Sequence, residues 1–221
     1  MYNLPYFKER DQQVVLEFIR QHPFAFIAGC SEEGKPVATQ IPVFIDEREG
    51  KLFLSGHVMK NTDHHKAFLY NPNVLVVFTG AHSFVSASWY EEKKQASTWN
   101  YMSVHAKGVL KFLDEPALLN VLKRTTNYFE NNAHSGANFE DLPAEYVQRL
   151  AKAIIAFEVE VQQIDNVFKL SQNRDEKSYH TIIEKLEAQD ADGKRIAEEM
   201  GKRTSQLFKA GKQSESSNLE P

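Results

Sequence analysis

The sequence predicts a mainly β fold with additional helices, arranged as an antiparallel β-barrel. Three strand-length apolar runs follow one another near the N-terminus, separated by polar turns, as in an antiparallel meander: FAFIAGC, VATQIPVFI and KLFLSG. A long alternating strand begins at Thr98, and the alternating pattern returns late in IIAFEVEVQQID. A strand that follows a helical excursion is typical of a closed barrel with an inserted helical pair, because closure removes exposed strand edges.

Further elements are predicted from turn chemistry and helix caps. VLVVFTG and SFVSASW are two further strands, and Asn61 or Thr62 caps a short helix that ends at Tyr70. Asp114 caps a longer helix. The predicted helices cover 11–21, 62–70, 114–129, 144–151 and 178–188. We expect a barrel domain over 1–175 with a helical insertion at 114–151, a helical appendix over 176–203 and a flexible tail over 204–221.

Composition restricts the class of protein. Of the 221 residues, 42% are hydrophobic and 25% are charged, which argues against a disordered or fibrous chain. The single cysteine, Cys30, excludes an intrachain disulfide, and the net charge of -4 argues against a globally basic nucleic-acid binder. The longest apolar runs are far shorter than the roughly 20 residues of a membrane helix, and no secretory signal is recognisable. We therefore expect a cytoplasmic protein with no membrane contact.

The stretch SGHVMKNTDHHKAF is the most informative for ligand binding. The helix that begins near Asn61 offers unpaired backbone N–H groups and a positive dipole end, and Lys60 adds a charge just before it. A phosphate would fit this position. The alternative interpretation, which the residues alone favour, is that this stretch binds no ligand. Asn61 and Thr62 are then ordinary helix caps, and Lys60 is an ordinary solvated lysine.

Metal and nucleophile chemistry have little support in the sequence. Eight histidines are present, but the i, i+4 pair with an intervening acid that zinc hydrolases use does not occur. Cys30 ends an apolar strand, where a thiol is usually inert. A Gly-x-Ser-x-Gly elbow and a glycine-rich phosphate loop are also missing. We expect no metal site, and catalytic residues stay unassigned.

Two aromatic and polar motifs could contact a flat ligand. Trp89 in SASWY and Trp99 in STWNY are close in sequence, and aromatic planes beside amides and hydroxyls can stack on a heterocycle such as a flavin. The alternative is an aromatic cluster that closes the barrel under a loop. FKLSQNR is likewise either a turn that caps the barrel or a segment that presents Lys169 and Gln172 to a ligand.

Taken together, these motifs resemble the PaiB-type FMN-binding proteins, whose fold is similar to that of pyridoxamine phosphate oxidases and flavin reductases. Five stretches in the family's order carry the resemblance: MYNLPYF, SGHVMKN, VLVVFTGAHSFVSASWY, STWNYMSVHAKG and FKLSQNR. The resemblance implies an α+β protein, mainly β, with a six-stranded antiparallel split β-barrel that binds FMN and has peripheral helices. It also implies a homodimer with cofactor sites at the subunit interface and a repressor of protease production and sporulation genes.

The resemblance also implies a set of cofactor-binding residues. The flavin phosphate would lie near Lys60 and Asn61, and the ring along the strand edges at 40–42 and 54–56. The full set is Gln40, Ile41, Pro42, Ser55, His57, Lys60, Asn61, Trp89, Trp99, Asn100, Lys169 and Gln172. The oxidases have Ser-Arg-Lys where this chain has VMKN, so one basic group is missing. Its loss would weaken phosphate binding roughly tenfold to a hundredfold.

Three functions are compatible with the sequence. The first is a flavin-binding transcriptional regulator that acts on DNA or on a regulatory protein. The alternative is an FMN-dependent oxidoreductase of the pyridoxamine phosphate oxidase or flavin reductase type, since the cofactor would carry the chemistry without a catalytic triad. The third is a repressor that binds DNA through Lys194–Arg195 and Lys202–Arg203, although this stretch is more simply a solvated helix with ion pairs. Haem is a minor alternative cofactor.

Overall fold

The protein is described from a computed structural model that covers residues 1–2, 4–132 and 134–208. Within it the chain forms two compact units. The first unit comprises Met1–Gln12, Thr79–Ser103 and the chain from Asn166 onward, and the second comprises Gln13–Phe78 and Val104–Asp165. This grouping does not test the boundary expected at residue 175, which stays a prediction.

The strands confirm the predicted α+β class with an antiparallel sheet, but there are seven strands rather than six. They run in the order β2-β1-β5-β6-β7-β4-β3. Their bounds are β1 Phe24–Cys30, β2 Pro36–Pro42, β3 Phe44–Arg48, β4 Lys51–Met59, β5 Asn73–Val85, β6 Thr98–Phe112 and β7 Ile154–Lys169. The strands β5, β6 and β7 have residues in both units.

The run VATQIPVFI forms two strands rather than one, because it is divided at Val43 into β2 and β3. Pro42 has no N–H to extend a ladder, and the backbone N–H of Val43 donates to the Pro23 carbonyl at 2.7 Å. Phe24 of β1 pairs with Pro42, whereas Phe44 pairs with Ser55 of β4. The two halves of the run therefore lie at opposite ends of the strand order.

The opposite correction applies to VLVVFTG and SFVSASW, because VLVVFTG and the first three residues of SFVSASW form one strand, β5, rather than two, and Ala87–Trp89 form a short 3-10 helix. The buried residues are Val74, Val76 and Phe78 before the middle and Ala81, Ser83 and Val85 after it. The alternation thus skips one position at the middle, a pattern typical of a β-bulge, and the strand continues. Turn-like residues inside this run led the sequence prediction to divide it.

The helices largely follow the predicted caps. Thr62, Asp114 and Asp175 each accept a hydrogen bond from the backbone N–H three residues later, which fixes where α2, α3 and α5 begin. The bounds are α1 Gln12–Gln21, α2 Asp63–Tyr70, α3 Glu115–Glu130, α4 Ala144–Ala151, α5 Glu176–Glu187 and α6 Ala191–Phe208. Both α3 and α4 fall inside the predicted insertion.

The helix α6 corrects the expected tail. The tail was expected from residue 204, but α6 continues to Phe208 and buries Ile196, Ala197 and Met200 along one side. Its apolar stripe was obscured in the sequence by the many charges around it. The rest of the predicted tail, 209–221, lies outside the described residues. Within the described part of the chain, no helix is long and apolar enough to cross a bilayer.

In the second unit, two glycines allow neighbouring strands to approach each other very closely. Gly56 of β4 and Gly108 of β6 both lie where a side chain would collide with backbone. A Cβ atom at Gly108 would overlap the carbonyl oxygen of Glu160 on β7, and one at Gly56 would lie 2.8 Å from the Pro42 oxygen. Around these contacts Leu54, Phe157 and other apolar side chains are fully buried.

The first unit contains two fully buried tyrosines with contrasting hydroxyl groups. The Tyr179 hydroxyl donates to the Met200 carbonyl at 2.9 Å, which ties α5 to α6. The Tyr90 hydroxyl has no hydrogen-bond partner among the described residues, and its ring lies under the Arg174 guanidinium at 3.9 Å. Only the first hydroxyl is therefore expected to stabilise the fold.

We expect Tyr179→Phe to lower the free energy of unfolding by about 1 kcal/mol, the net contribution of one buried hydrogen bond. Tyr90→Phe is the matched control, since it removes an equally buried hydroxyl that has no partner, and should leave the unfolding free energy unchanged or slightly higher. Urea unfolding of both variants measures the difference. An equal loss in the two variants would contradict this assignment.

Candidate functional site

The predicted cofactor residues are distributed over both units. Those from β2, β4 and the turn before α2 belong to the second unit, and those from the two tryptophan motifs and the end of β7 belong to the first.

In the second unit, the two strand segments expected to lie along the flavin ring are adjacent. The close approach of Gly56 to the Pro42 carbonyl oxygen brings 40–42 and 54–56 together. Gln40 is exposed, Ile41 and Pro42 are half-buried, and Ser55 is buried. β2 lies at one end of the strand order, and an end strand has one edge that is not paired with another strand of its sheet. This arrangement fits a flat heterocycle with hydrogen-bonding edges.

His57 lies next along β4, where it pairs with Ala156 of β7. Burial lowers the pKa of its imidazole, so the ring is neutral at physiological pH. A neutral imidazole can donate one hydrogen bond and accept another, but it adds no charge to attract a phosphate.

Lys60 directly follows β4 and is tied to the two residues that follow α4. Its backbone N–H donates to the Ala153 carbonyl at 2.8 Å, and its ammonium donates to the Lys152 carbonyl at 3.2 Å. A cation at a helix C-terminus interacts favourably with the helix dipole. Lys60 also lines a cavity of about 270 Å³ together with Asp114 and Glu115. The bond to the Lys152 carbonyl is the only one of its ammonium among the described residues.

The turn between Lys60 and α2 is held by its own side chains. Asn61 adopts a left-handed conformation with φ of 67°, and its backbone N–H donates to Nδ1 of His65 at 3.3 Å. The Thr62 hydroxyl accepts from the His65 N–H and donates to the Met59 carbonyl at 2.9 Å. Thr62 is therefore the cap, and Asn61 makes the turn that precedes it.

An anion at the start of α2 would meet a carboxylate that is already there. Asp63 is exposed and accepts the His64 N–H at 2.7 Å, and this hydrogen bond lowers the pKa of its carboxyl group. Burial lowers the pKa of His65, and the charges of His64 and Lys60 lower it further. The turn therefore fits a phosphate through the Lys60 ammonium and the helix end, provided that Asp63 turns away.

In the first unit, Trp99 is the centre of an exposed aromatic cluster. Its side chain is 52% exposed, and its ring centre lies 5.9 Å from that of Phe84 and 5.9 Å from that of His82. Trp89, by contrast, is half-buried in a short 3-10 helix. The sequence prediction missed Phe84 and His82. Their alternate positions on β5 were a usable signal, because they place both rings on the outward side of the strand.

Lys169 holds the strand that carries Trp99. Its ammonium donates to the hydroxyl of Thr98 and, at 2.7 Å, to the carbonyl of Trp99. Burial lowers the pKa of Lys169, and the nearby Arg174 lowers it further. The ammonium therefore fixes the beginning of β6 and remains a donor that a ligand beside Trp99 could reach.

Asn100 and Gln172 hold the turn after β7. The Asn100 side chain is fully buried, accepts the Ser171 hydroxyl at 3.0 Å and contacts the Met200 sulfur at 3.4 Å. Gln172 accepts the Leu170 N–H at 2.8 Å and donates to the Phe168 carbonyl. Both amides are used within the protein. For FKLSQNR, the structure thus shows the contacts of a capping turn.

The described residues contain no group of three or more His, Cys, Asp or Glu side chains that could hold a metal ion. Cys30 is a free, exposed thiol.

Comparisons with known proteins agree with this arrangement of strands. The chain matches the family model described as "Putative FMN-binding domain" over residues 1–163. It is 29% identical over 201 residues to "Protease synthase and sporulation protein PAI 2" of Bacillus subtilis (strain 168), which covers 90% of this chain and 96% of the relative.

Two solved structures share the fold. One is the FAD and heme binding protein from Mycobacterium smegmatis, with a TM-score of 0.55, 17% identity and coverage of 74% of this chain and 73% of the other. The second is the flavocytochrome from Azotobacter vinelandii, with a TM-score of 0.52, 16% identity and coverage of 76% and 72%. The predicted split-barrel class and the resemblance to PaiB are both confirmed. The chain belongs to the FMN-binding domain family.

Proposed function

We propose that this protein binds FMN in its split barrel and acts as a PaiB-like regulator of protease production and sporulation genes. The observation that carries the proposal is the similarity to the Bacillus subtilis protein named for protease synthesis and sporulation, which extends over 96% of that relative. The family match over residues 1–163 supports FMN as the cofactor.

The flavin ring is proposed to lie against β2 and β4. Gly56 allows the Pro42 carbonyl to approach β4, so 40–42 and 54–56 form one continuous surface. Gln40 and Ser55 supply polar side chains beside it, and His57 supplies a neutral imidazole. When bound, FMN would supply the capacity for hydride and single-electron transfer. The chain's own groups bind and orient the ring.

The phosphate is proposed to lie at the turn of Lys60 and Asn61. Lys60 is half-buried, and one weak contact to a helix carbonyl is the only bond of its ammonium among the described residues. A phosphate can compete for that donor, because a charge-assisted hydrogen bond is stronger than one to a neutral carbonyl. The left-handed Asn61 turns the chain so that Lys60 precedes the start of α2.

In the first unit, Trp89, Trp99 and Lys169 remain proposed cofactor contacts. Asn100 and Gln172 are assigned to holding the turn after β7, because their amides are bonded within the protein. We further propose a homodimer with its cofactor sites at the subunit interface, as the resemblance to PaiB implies.

An FMN-dependent oxidoreductase is the second candidate function. The observation that favours it is that a flavocytochrome and an FAD and heme binding protein share this fold. These similarities also make haem a second candidate cofactor. Oxidation of a reduced nicotinamide by the FMN-loaded protein, faster than by free FMN, would favour this candidate over a regulator.

Lys60→Ala should raise the Kd for FMN roughly tenfold, since it removes one charge-assisted contact to the phosphate. The Kd for riboflavin, which has no phosphate, should stay unchanged. Lys66→Ala is the matched control, because Lys66 is an exposed lysine on the neighbouring helix α2. Quenching of flavin fluorescence measures each Kd.

Equal effects of Lys60→Ala on FMN and riboflavin would contradict the phosphate assignment. A wild-type protein that neither quenches FMN fluorescence nor gains thermal stability from FMN would contradict the proposed cofactor itself.

FMN should quench the intrinsic fluorescence of Trp99 more than that of Trp89, because Trp99 is exposed in an aromatic cluster. The chain has 2 tryptophans, so Trp89→Phe leaves only Trp99 and Trp99→Phe leaves only Trp89. Titrating both variants with FMN isolates each signal. Stronger quenching in Trp99→Phe than in Trp89→Phe would contradict the assignment of Trp99.

We expect the regulator to act through a protein partner, with no direct DNA contact from α6. Lys202 pairs with Glu199, and Arg203 pairs with Glu199 and Glu9, so two carboxylates balance these two cations. Gel shifts with duplex DNA between about 50 and 200 mM salt test this, because phosphate contacts weaken steeply with salt. A salt-sensitive shift that is lost in Lys194→Gln and Arg195→Gln would contradict it.

A further inference from the structure

A second candidate binding site lies in the first unit, in a cleft of about 370 Å³. The cleft is bounded by the N-terminal arm, the end of β7 and the last turns of α6. Its apolar wall contains Pro5, Tyr6 and Leu207, and its polar wall contains Lys8, Arg10 and Arg203. The predicted cofactor residue Gln172 also lines it, but its amide is bonded within its own turn.

A small ion network at one side of the cleft carries no net charge. Arg203 donates to Glu199 at 2.6 Å and to Glu9 at 3.2 Å, and Lys202 pairs with Glu199. Two carboxylates and two cations therefore cancel. The other carboxylate oxygen of Glu9 accepts the backbone N–H groups of Arg10 and Asp11. The acids in the network are thus occupied and would not repel an anion strongly.

Arg203 retains unused donors in this network. Its guanidinium has five N–H groups, of which two on Nη1 bond Glu199 and one on Nη2 bonds Glu9. Among the bonds of residues 1–2, 4–132 and 134–208, none uses the Nε–H or the second Nη2–H. The guanidinium thus keeps two donors on a planar fork, a group that suits recognition of a phosphate or carboxylate.

Two further cations of the cleft are uncompensated. Neither Lys8 nor Arg10 has an ion-pair partner in the described part of the chain, whereas Arg203 is already neutralised. The cleft thus has a local excess of positive charge in a protein whose net charge is -4. Tyr6 is 47% exposed and offers an aromatic face beside these cations.

We propose that this cleft binds a small phosphate monoester carried on an aromatic body. The Arg203 fork receives two phosphate oxygens, Lys8 and Arg10 neutralise the remaining charge, and the aromatic body packs on Tyr6 and Leu207. This site is separate from the phosphate position proposed at Lys60, and it does not depend on flavin binding.

The test is a calorimetric titration of the full chain with phenyl phosphate and, separately, with inorganic phosphate. Phenyl phosphate should bind more tightly, because only it can use the apolar wall. Lys8→Gln and Arg10→Gln should each weaken its binding roughly tenfold. Lys94→Gln is the matched control, since Lys94 is an exposed lysine of the same unit that does not line the cleft.

Arg203→Lys gives an independent measure, because it keeps the charge and removes the fork. It should weaken phenyl phosphate binding by roughly tenfold while the thermal transition shows that the protein remains folded. No binding of phenyl phosphate, equal weakening in Lys94→Gln, or loss of binding in Lys60→Ala would each overturn the proposal. The last result would place the probe at the turn before α2.

Discussion

The close approach of β2 to β4 at Gly56 is the constraint on which the second unit depends. The Pro42 carbonyl oxygen occupies the space that a Cβ atom at position 56 would need. The chain can reach this contact because it leaves the β1–β2 ladder at Pro42, and the next N–H, that of Val43, bonds to Pro23. From there Phe44 begins a new ladder with β4. One proline and one glycine thus let a single apolar run serve both ends of the strand order.

This constraint explains which parts of the fold were predictable from the sequence. The helix caps at Thr62 and Asp114 could be predicted from local sequence. Each cap depends only on one side chain and on the backbone N–H three residues later. The number of strands is not local. It depends on whether Pro42 and the middle of β5 interrupt a ladder, and that is decided by distant pairing partners. The sequence prediction accordingly located the apolar runs. It divided β5 into two strands, however, and it joined β2 and β3 into one.

Local rules also failed to assign the polar residues of the motifs. Lys60 was correctly placed before a helix, but its bond to the Lys152 carbonyl, directly after α4, joins residues far apart in sequence. Asn100 and Ser171 meet in the same way through a buried hydrogen bond. A recognisable sequence motif can therefore contain both residues that contact a ligand and residues that only hold the protein backbone in place. Burial separates them, since the fully buried Asn100 amide is out of reach of a ligand.

The two positions where the chain could receive a phosphate differ in how their donors are held. At the turn before α2, the cation is a flexible lysine whose ammonium is shared with a carbonyl, and the Asp63 carboxylate lies at the helix end. An anion must rearrange both groups, which reduces the net gain. In the cleft beside α6, the guanidinium of Arg203 is already immobilised by two carboxylates, and its remaining donors need no reordering. Net charge does not predict either position, because each depends on which donors the surrounding protein leaves unused.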